Sequence, residues 1–378
     1  MTTSMSAFAI FRLPYEDHCH VIMQSGGRPE ELASVFALSN KKGFVIAPFS
    51  VDSRHPVLLI RDDIRICARP EQLLGHGGDD QLAGVLEGMA SVLDLPQQHE
   101  KVMSGSYGHY AVDFANFHSH IENGEFSKIV LARCCREENQ RHLSPVELFV
   151  KACRRYPRMF VSLFSTRRSG TWLMATPEAL LQGEGKDWST MSLAGTMVLQ
   201  GPQLDFDNPP SSDSDHDDKG IGWNVKNIQE QRFVSTYITE RLEQVASDIE
   251  EKGPYTARAG HLVHLRSDFH FTLPDANRLG ELLNALYPTP AVCGLPKDAA
   301  RDFIIHNEFA PRQYYSGFAG PLYLEGGTHL FVSLRCMRIG QEACSLYAGG
   351  GLLSDSDMET EWRETESKME TMRGLLRS

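Results

Sequence analysis

The sequence predicts an α+β protein built as one large domain spanning residues 1–378. Three observations lead there. Strand-like and helical segments come in long blocks rather than in regular βαβ alternation. No stretch rich in Pro, Gly and Ser cleanly divides the chain, and no internal repeat is visible. With 378 residues, 41% of them apolar, the chain is long enough to bury a substantial core.

The elements follow in order. Over the first hundred residues, GFVIAPF (43–49) and VLLIRDDIRICA (57–68) are short apolar runs between turn signals, and a helical pattern lies near Leu82–Leu93. Strands around a helix are expected there. A second helix is expected over roughly Tyr107–Asn123. KIVLARCCRE follows, and its continuously apolar, β-branched start reads as a buried strand. Ser144-Pro-Val-Glu147 supplies an N-cap, a proline at the first helical position and a capping-box acid, so a helix should run to about Arg155. Strands are expected at Met159–Ser165, Thr171–Ala175 and Ser189–Thr196. The segment 201–220 is dense in Pro, Ser and Asp and reads as an acidic surface loop or a lid; its acids lack the EF-hand spacing. From about Lys226 to Glu250, apolar residues at Val234, Ile238, Leu242, Val245 and Ile249 keep helical spacing. Helices near 275–287, 298–308 and 358–376 then alternate with strands at 262–273, 315–323, 328–338 and 343–348.

Composition excludes several classes. The formal charge is −12, from 37 basic and 49 acidic residues, and duplex nucleic-acid binding needs clustered Lys and Arg instead. No apolar stretch approaches the roughly 18–20 residues that span a bilayer. The start, MTTSMSAFAIF, lacks a basic segment followed by an apolar core. Eight cysteines include no CxxC pair, so reduced thiols and a cytoplasmic location are expected. No association motif is visible, and a monomer is expected.

Four features carry chemistry. On the last predicted helix Glu361, Glu364 and Lys368 share one face, while Trp362, Met369, Met372 and Leu376 lie on another stripe. The acidic face is either solvated, with an ordinary Glu364–Lys368 pair, or a site for a hard cation. Glu230 lies four residues before Val234 on a stripe that must be buried; it either sits at a frayed helix start or is compensated by a cation. Carboxylates without a His/Cys cluster favour magnesium over zinc. Lys128 begins the predicted buried strand, as a lysine reaching out to water or as a desolvated base. Ala348–Gly351 (AGGG) reads as a tight turn after a strand, or as backbone open to an anion. Cys134 and Cys135 read as buried thiols.

Taken together, these segments resemble the chorismate-utilising enzymes, and among them the isochorismate synthases. The resemblance runs in order over residues 105–376 and leaves 1–104 poorly covered. It rests on KIVLAR (128–133), ATPEAL (175–180), SLAGT (192–196), KNIQEQ (226–231), HL (264–265) and YPTPAVCGLP (287–296). It continues in Glu308, Arg312, Tyr315 and Gly317 of an E-x3-R-x2-Y-x-G pattern, VSLR (332–335), and YAGGGLLSDSDMETEWRETESK (347–368). The resemblance implies a single α+β domain of long antiparallel sheets flanked by helices, with its site in a cleft between them. It assigns Lys128 to activating water and Glu178 to protonating the departing hydroxyl, since addition at C2 of chorismate with loss of the C4 hydroxyl needs one group to accept a proton and one to donate. It assigns Mg2+ to Glu230 and Glu364, with Glu361 in the same cluster. Arg335 and Tyr315 match positions holding the enolpyruvyl carboxylate, aided by backbone around Gly349, Gly350 and Gly351. Gly195, Thr196, His264 and Lys368 match other site-lining positions.

Anthranilate synthases carry a glutamine at the Lys128 position and use ammonia. Water is therefore the expected nucleophile, no glutamine amidotransferase subunit is expected, and no LLES-type signature points to feedback by tryptophan. The sequence departs from the family at Gln231, where histidine is usual, at Tyr287 in place of the histidine of HPTP, and at Cys293 in place of a glycine. The expected activity is isochorismate synthase, feeding menaquinone, siderophore or salicylate-derived pathways. A salicylate synthase, which goes on to eliminate pyruvate, and a non-catalytic chorismate-binding subunit are the alternatives.

Overall fold

The computed structural model describes residues 5–75, 77, 80–96, 102–198, 222–259, 262–324 and 326–377. The expected acidic loop, 201–220, lies outside them. The chain begins with β1 (Met5–Arg12), β2 (Cys19–Ser25), β3 (Glu30–Leu32), β4 (Gly43–Ala47), β5 (Val57–Ile60) and β6 (Ile64–Ala68), then α1 (Asp80–Leu93) and α2 (Tyr107–Glu122). Its middle holds β7 (Lys128–Glu138), α3 (Pro145–Arg155), β8 (Phe160–Thr166), β9 (Gly170–Thr176), β10 (Ala179–Glu184), β11 (Asp187–Val198) and α4 (Val225–Leu242). It continues through β12 (Ser247–Ala259), β13 (Leu262–Thr272), α5 (Leu279–Leu286), β14 (Gly294–Leu295) and α6 (Lys297–Asn307). The last elements are β15 (Phe318–Leu322), β16 (Thr328–Val332), β17 (Cys336–Ile339), β18 (Ala343–Leu352) and α7 (Met358–Arg377).

Among the described residues the strands form two nine-stranded sheets, ordered β14-β7-β18-β17-β9-β8-β1-β2-β6 and β12-β13-β11-β10-β16-β15-β4-β5-β3. Neighbours pair antiparallel, as β7 does with β18 and β11 with β13. The inner faces meet through Ala7, Ala9 and Phe11 of β1, Phe44 and Ile46 of β4, and Phe160 and Phe331, whose rings stack at 4.2 Å. The outer face of the first sheet is covered by α1, α3 and α7, with Phe8 and Ile10 turned toward them. The outer face of the second is covered by α4 and α5. Both faces of strands such as β1 and β8 are thus buried, which is why they read as unbroken apolar runs without the alternation of a half-exposed sheet. The helix before Arg155 starts as its sequence predicts: Ser144 accepts from the Glu147 N–H, and Glu147 answers on the Ser144 N–H.

Three expectations need correction. The helix expected to reach Glu250 stops at Leu242, and β12 starts at Ser247. Val245 and Ile249 are four apart, which suits a helix, but Val245 caps the core from a turn and pairing with β13 takes the residues beyond. The run 328–338 is two strands in different sheets, broken at Ser333–Arg335, where Arg335 has a positive φ of 45°. AGGG is no turn: Gly349, Gly350 and Gly351 pair with Ala132, Leu131 and Val130 inside β18.

Candidate active site

The chain crosses between the two sheets at two points that matter for the site. Between β9 and β10 it carries Thr176-Pro177-Glu178 across, and between β16 and β17 it carries Ser333-Leu334-Arg335 back. The crossings are laced together: the Val332 N–H donates to the Glu178 carbonyl and the Ala175 N–H to the Arg335 carbonyl. Glu178 and Arg335 therefore face one cleft. It is lined further by Gly195, Thr196, Glu230, His264, Tyr315, Gly349, Gly351 and Lys368, with Val130, Leu193, Val292 and Leu334 as apolar walls.

Lys128, first residue of β7, is 0% exposed, which discards the reading of a lysine snorkelling to water. Its Nζ lies 2.9 Å from Glu230 Oε1. Glu178 is 2% exposed, and burial pushes its carboxyl up to about 8 against the opposing charges of Lys128, Lys368 and Arg335. It is thus an acid still holding its proton at neutral pH. Burial acts on Glu230 in the same direction, but Lys128, Lys368 and Lys226 outweigh it and hold that carboxyl below its ordinary value. One cleft therefore contains carboxyls with opposed protonation states.

A bulge in β11 builds the next part. Register with β13 shifts between Ala194 and Thr196, leaving Gly195 at φ 71°. A side chain there would also meet Asn227 Cβ and O at 3.0 Å, so glycine is required both by backbone and by space. The bulge aims the Gly195 N–H at Glu230 Oε2, 3.1 Å away, and its carbonyl at His264 Nδ1, 3.1 Å away. Thr196 Oγ1 lies 3.2 Å from the same nitrogen. Arg335 Nη2 donates to His264 Nε2 at 3.1 Å. A guanidinium can only donate, so His264 carries its hydrogen on Nδ1; burial, Arg335 and Lys368 keep the ring neutral by lowering its pKa well below the usual value. Arg335 is itself buried, which lowers it to about 10. Among the described residues no carboxylate stands within ion-pair distance of it, so it is a buried cation ready for an anion.

The glycines of β18 serve close approach. Tyr315 Oη lies 2.9 Å from where a Gly349 Cβ would be; the same position on Gly350 meets Glu361 Oε2 at 2.9 Å and Glu364 Oε1 at 3.7 Å; on Gly351 it meets Glu230 Oε1, and Lys128 Cε at 2.8 Å. Gly350 thus faces the carboxylates rather than the cleft lining. Pairing with β17 ends at Tyr347, so that edge of β18 has no strand partner over the glycines among the described residues. Lys368 Nζ takes the Gly349 carbonyl at 2.9 Å.

On α7, Glu361 and Glu364 face β18 while Met369, Met372 and Leu376 join the core under the first sheet. Trp362 is not on that stripe; it packs with α2, under the guanidinium of Arg133. Each carboxylate has a lysine: Lys128 on Glu230, Lys226 on Glu361, and Lys368 on Glu364 at 2.6 Å. Lys226 escaped the sequence reading, although it lies one helical turn before Glu230 in KNIQEQ. Among the described residues no three His, Cys, Asp or Glu side chains form a ready-made metal cage. The donors nevertheless suit a hard cation. Glu361 is 1% exposed and its Oε2 is buried without a hydrogen-bond partner among the described residues, and Glu364 Oε1 faces the same glycine. Magnesium uses one or two carboxylates plus water and substrate oxygens.

The departures from the resemblance are absorbed structurally. Gln231 accepts from the Ala194 N–H and donates to Ser192 Oγ, steadying the bulge. Tyr287 donates to the Pro48 carbonyl. Cys293 is buried, its thiol pushed up to about 12 by burial, which makes it inert. Cys134 is buried, but Cys135 is only partly so.

Such a cleft, with a buried cation and a polar floor between two antiparallel sheets, has the chemistry to hold a small anionic molecule. Residues 87–377 match the family model for chorismate binding enzyme, and the chain belongs to that family. It is 30% identical over 256 residues to isochorismate synthase MenF of Escherichia coli, covering 68% of this chain and 57% of that protein. It is 32% identical over 265 residues to the salicylate biosynthesis isochorismate synthase of Pseudomonas aeruginosa, covering 68% and 52%. The chain thus spans little more than half the length of these relatives. The solved structure of MenF, the menaquinone-specific isochorismate synthase from Escherichia coli, superposes with a TM-score of 0.73 at 21% identity over 99% of this chain and 90% of that one. That likeness shows the shared fold. No helix among the described residues is long and apolar enough to cross a membrane.

Proposed function

We propose that the protein is a magnesium-dependent isochorismate synthase, and the observation that carries this is a cleft lined both by a protonated Glu178 and by Glu230, which is paired to the buried Lys128. In this reading Lys128 takes a proton from water as its oxygen bonds to C2 of chorismate. Both ring double bonds shift, C1=C2 to C1=C6 and C5=C6 to C4=C5, and the C4 hydroxyl leaves with the proton of Glu178. Arg335, oriented by His264, holds the enolpyruvyl carboxylate, with Tyr315 and the glycine backbone of β18 beside it. Glu230 and Glu364, with Glu361 behind them, would hold the magnesium, whose bound charge draws electron density toward the ring carboxylate. Glu230, already paired to Lys128, would be shared with such a cation. A lysine rather than a glutamine at 128 supports water over ammonia, with no amidotransferase subunit. The names of the relatives support the same product.

Purified protein incubated with chorismate and magnesium, with and without ammonium, tests this by chromatography and mass. Isochorismate at partial conversion, unaffected by ammonium, is expected. Salicylate with pyruvate would move the assignment to a salicylate synthase, an aminated product would overturn the role of Lys128, and binding without turnover would make this a chorismate-binding subunit. Glu364→Gln should raise the magnesium requirement sharply; full activity in excess chelator would contradict the metal.

A further inference from the structure

α2 and α7 meet at their first turns. Tyr107 Oη donates to Glu359 Oε2 at 2.8 Å, and the rings of Tyr107 and Tyr110 stand edge-on to Trp362 at 5.2 and 5.3 Å. The buried face of α2 is Tyr110, Phe114, Phe117 and Ile121. Packing alone would be served by phenylalanine at each ring position, yet Tyr110 brings a hydroxyl into the interior. It is 2% exposed, and its Oη has no hydrogen-bond partner among the described residues. A buried phenol normally finds one.

Tyr110 and Trp362 pack in one cluster with Leu131, the partner of Gly350 in β18, and Glu361 Oε2 stands 2.9 Å from where a Gly350 Cβ would be. Glu361 Oε1 accepts from Ser356 Oγ at 3.0 Å and pairs with Lys226, while Oε2 has no partner. A donor without an acceptor and an acceptor without a donor, among the described residues, thus border the same pair of strand residues, Leu131 and Gly350, with no hydrogen bond between them. A buried water accepting from one and donating to the other would satisfy both, and such waters need two to four polar partners.

We propose that Tyr110 is a positioning residue of the cation centre, its hydroxyl holding Glu361 Oε2 through one ordered water so that the carboxylate is presented to the metal. This rests on the magnesium reading above. Neither oxygen need be satisfied by protein alone, because the water and the hydrated cation complete both. Partners of this kind fix the orientation of carboxylate ligands, and removing one typically weakens metal binding 10- to 100-fold.

Tyr110→Phe removes the hydroxyl and keeps the ring. Calorimetric titration of MgCl2 into the variant and the unsubstituted protein should give a dissociation constant about 10-fold weaker for the variant. The half-saturating magnesium concentration for turnover should rise in step, with kcat at saturating magnesium retained. Metal-free thermal unfolding should be unchanged or shifted upward, because an unpaired polar group has gone. Equal magnesium affinity in the two proteins would overturn the role of Tyr110 and leave the metal site standing. A lowered metal-free midpoint with unchanged affinity would also overturn it, assigning the hydroxyl to the fold. No magnesium uptake by the unsubstituted protein would overturn the metal reading and this inference with it.

Discussion

Glu178 makes the sharpest claims at the scale of single residues. Its carboxyl keeps its proton to about pH 8, whereas an unfolded glutamate loses it near 4.5. Between those values the folded chain binds more protons than the unfolded one, so this group makes stability fall as pH rises through that window. Glu178→Gln should flatten that part of the stability profile in urea unfolding at a series of pH values. The same variant should lose turnover by roughly 10²- to 10⁴-fold while still binding chorismate, and in the unsubstituted protein kcat/KM should decline above about pH 8. Unchanged turnover would remove Glu178 from the acid role. Arg335 makes a different claim: Arg335→Met should weaken chorismate binding by roughly 10- to 100-fold, the worth of hydrogen bonds to a charged group, measurable by calorimetry. The unbound protein should lose no stability, because among the described residues the arginine has no carboxylate within ion-pair distance. Glu178 and Arg335 stand out in the sequence only through the family resemblance, whereas Lys128, Glu230, Glu361 and Glu364 draw attention by their own positions. Lys226 and Tyr110 were not, since a lysine at a helix start and a tyrosine in an apolar stripe look ordinary until the elements around them are assembled.

β18 shows what an element can hide. Its glycines read locally as a tight turn or as backbone open to an anion, and glycine weakens a strand interior. They are tolerated where Glu230, Glu361, Glu364 and Tyr315 press against the strand, neighbours that no local pattern reveals. Gly351→Ala would drive a methyl group into Glu230 and Lys128, and turnover should drop on the order of 10²-fold with circular dichroism unchanged; full activity would show the close approach to be unnecessary. α3 is the contrasting case, since its capping box is written within four residues. Ser144→Ala should lower stability by about 1 kcal/mol in chemical unfolding without changing kcat. α4 falls between the two: its start and buried face were readable, but its end was set by β12 pairing with β13, a long-range contact that outweighs local periodicity.

At the scale of the molecule, α+β blocks were visible in the sequence, but the pairing order of two nine-stranded sheets was not. Both faces of many strands are buried, so the alternation that would separate inside from outside is missing. The two crossings that carry Glu178 and Arg335 likewise read as continuous strand or bare motif, and only the assembled sheets show them facing one cleft. The central claim is that this cleft adds water to chorismate. The most direct measurement is the mass of the product formed from chorismate and magnesium in heavy-oxygen water, sampled at partial conversion. Isochorismate carrying one heavy oxygen at C2 is the predicted result, whereas unlabelled product, an aminated product, or bound chorismate recovered unchanged would contradict it.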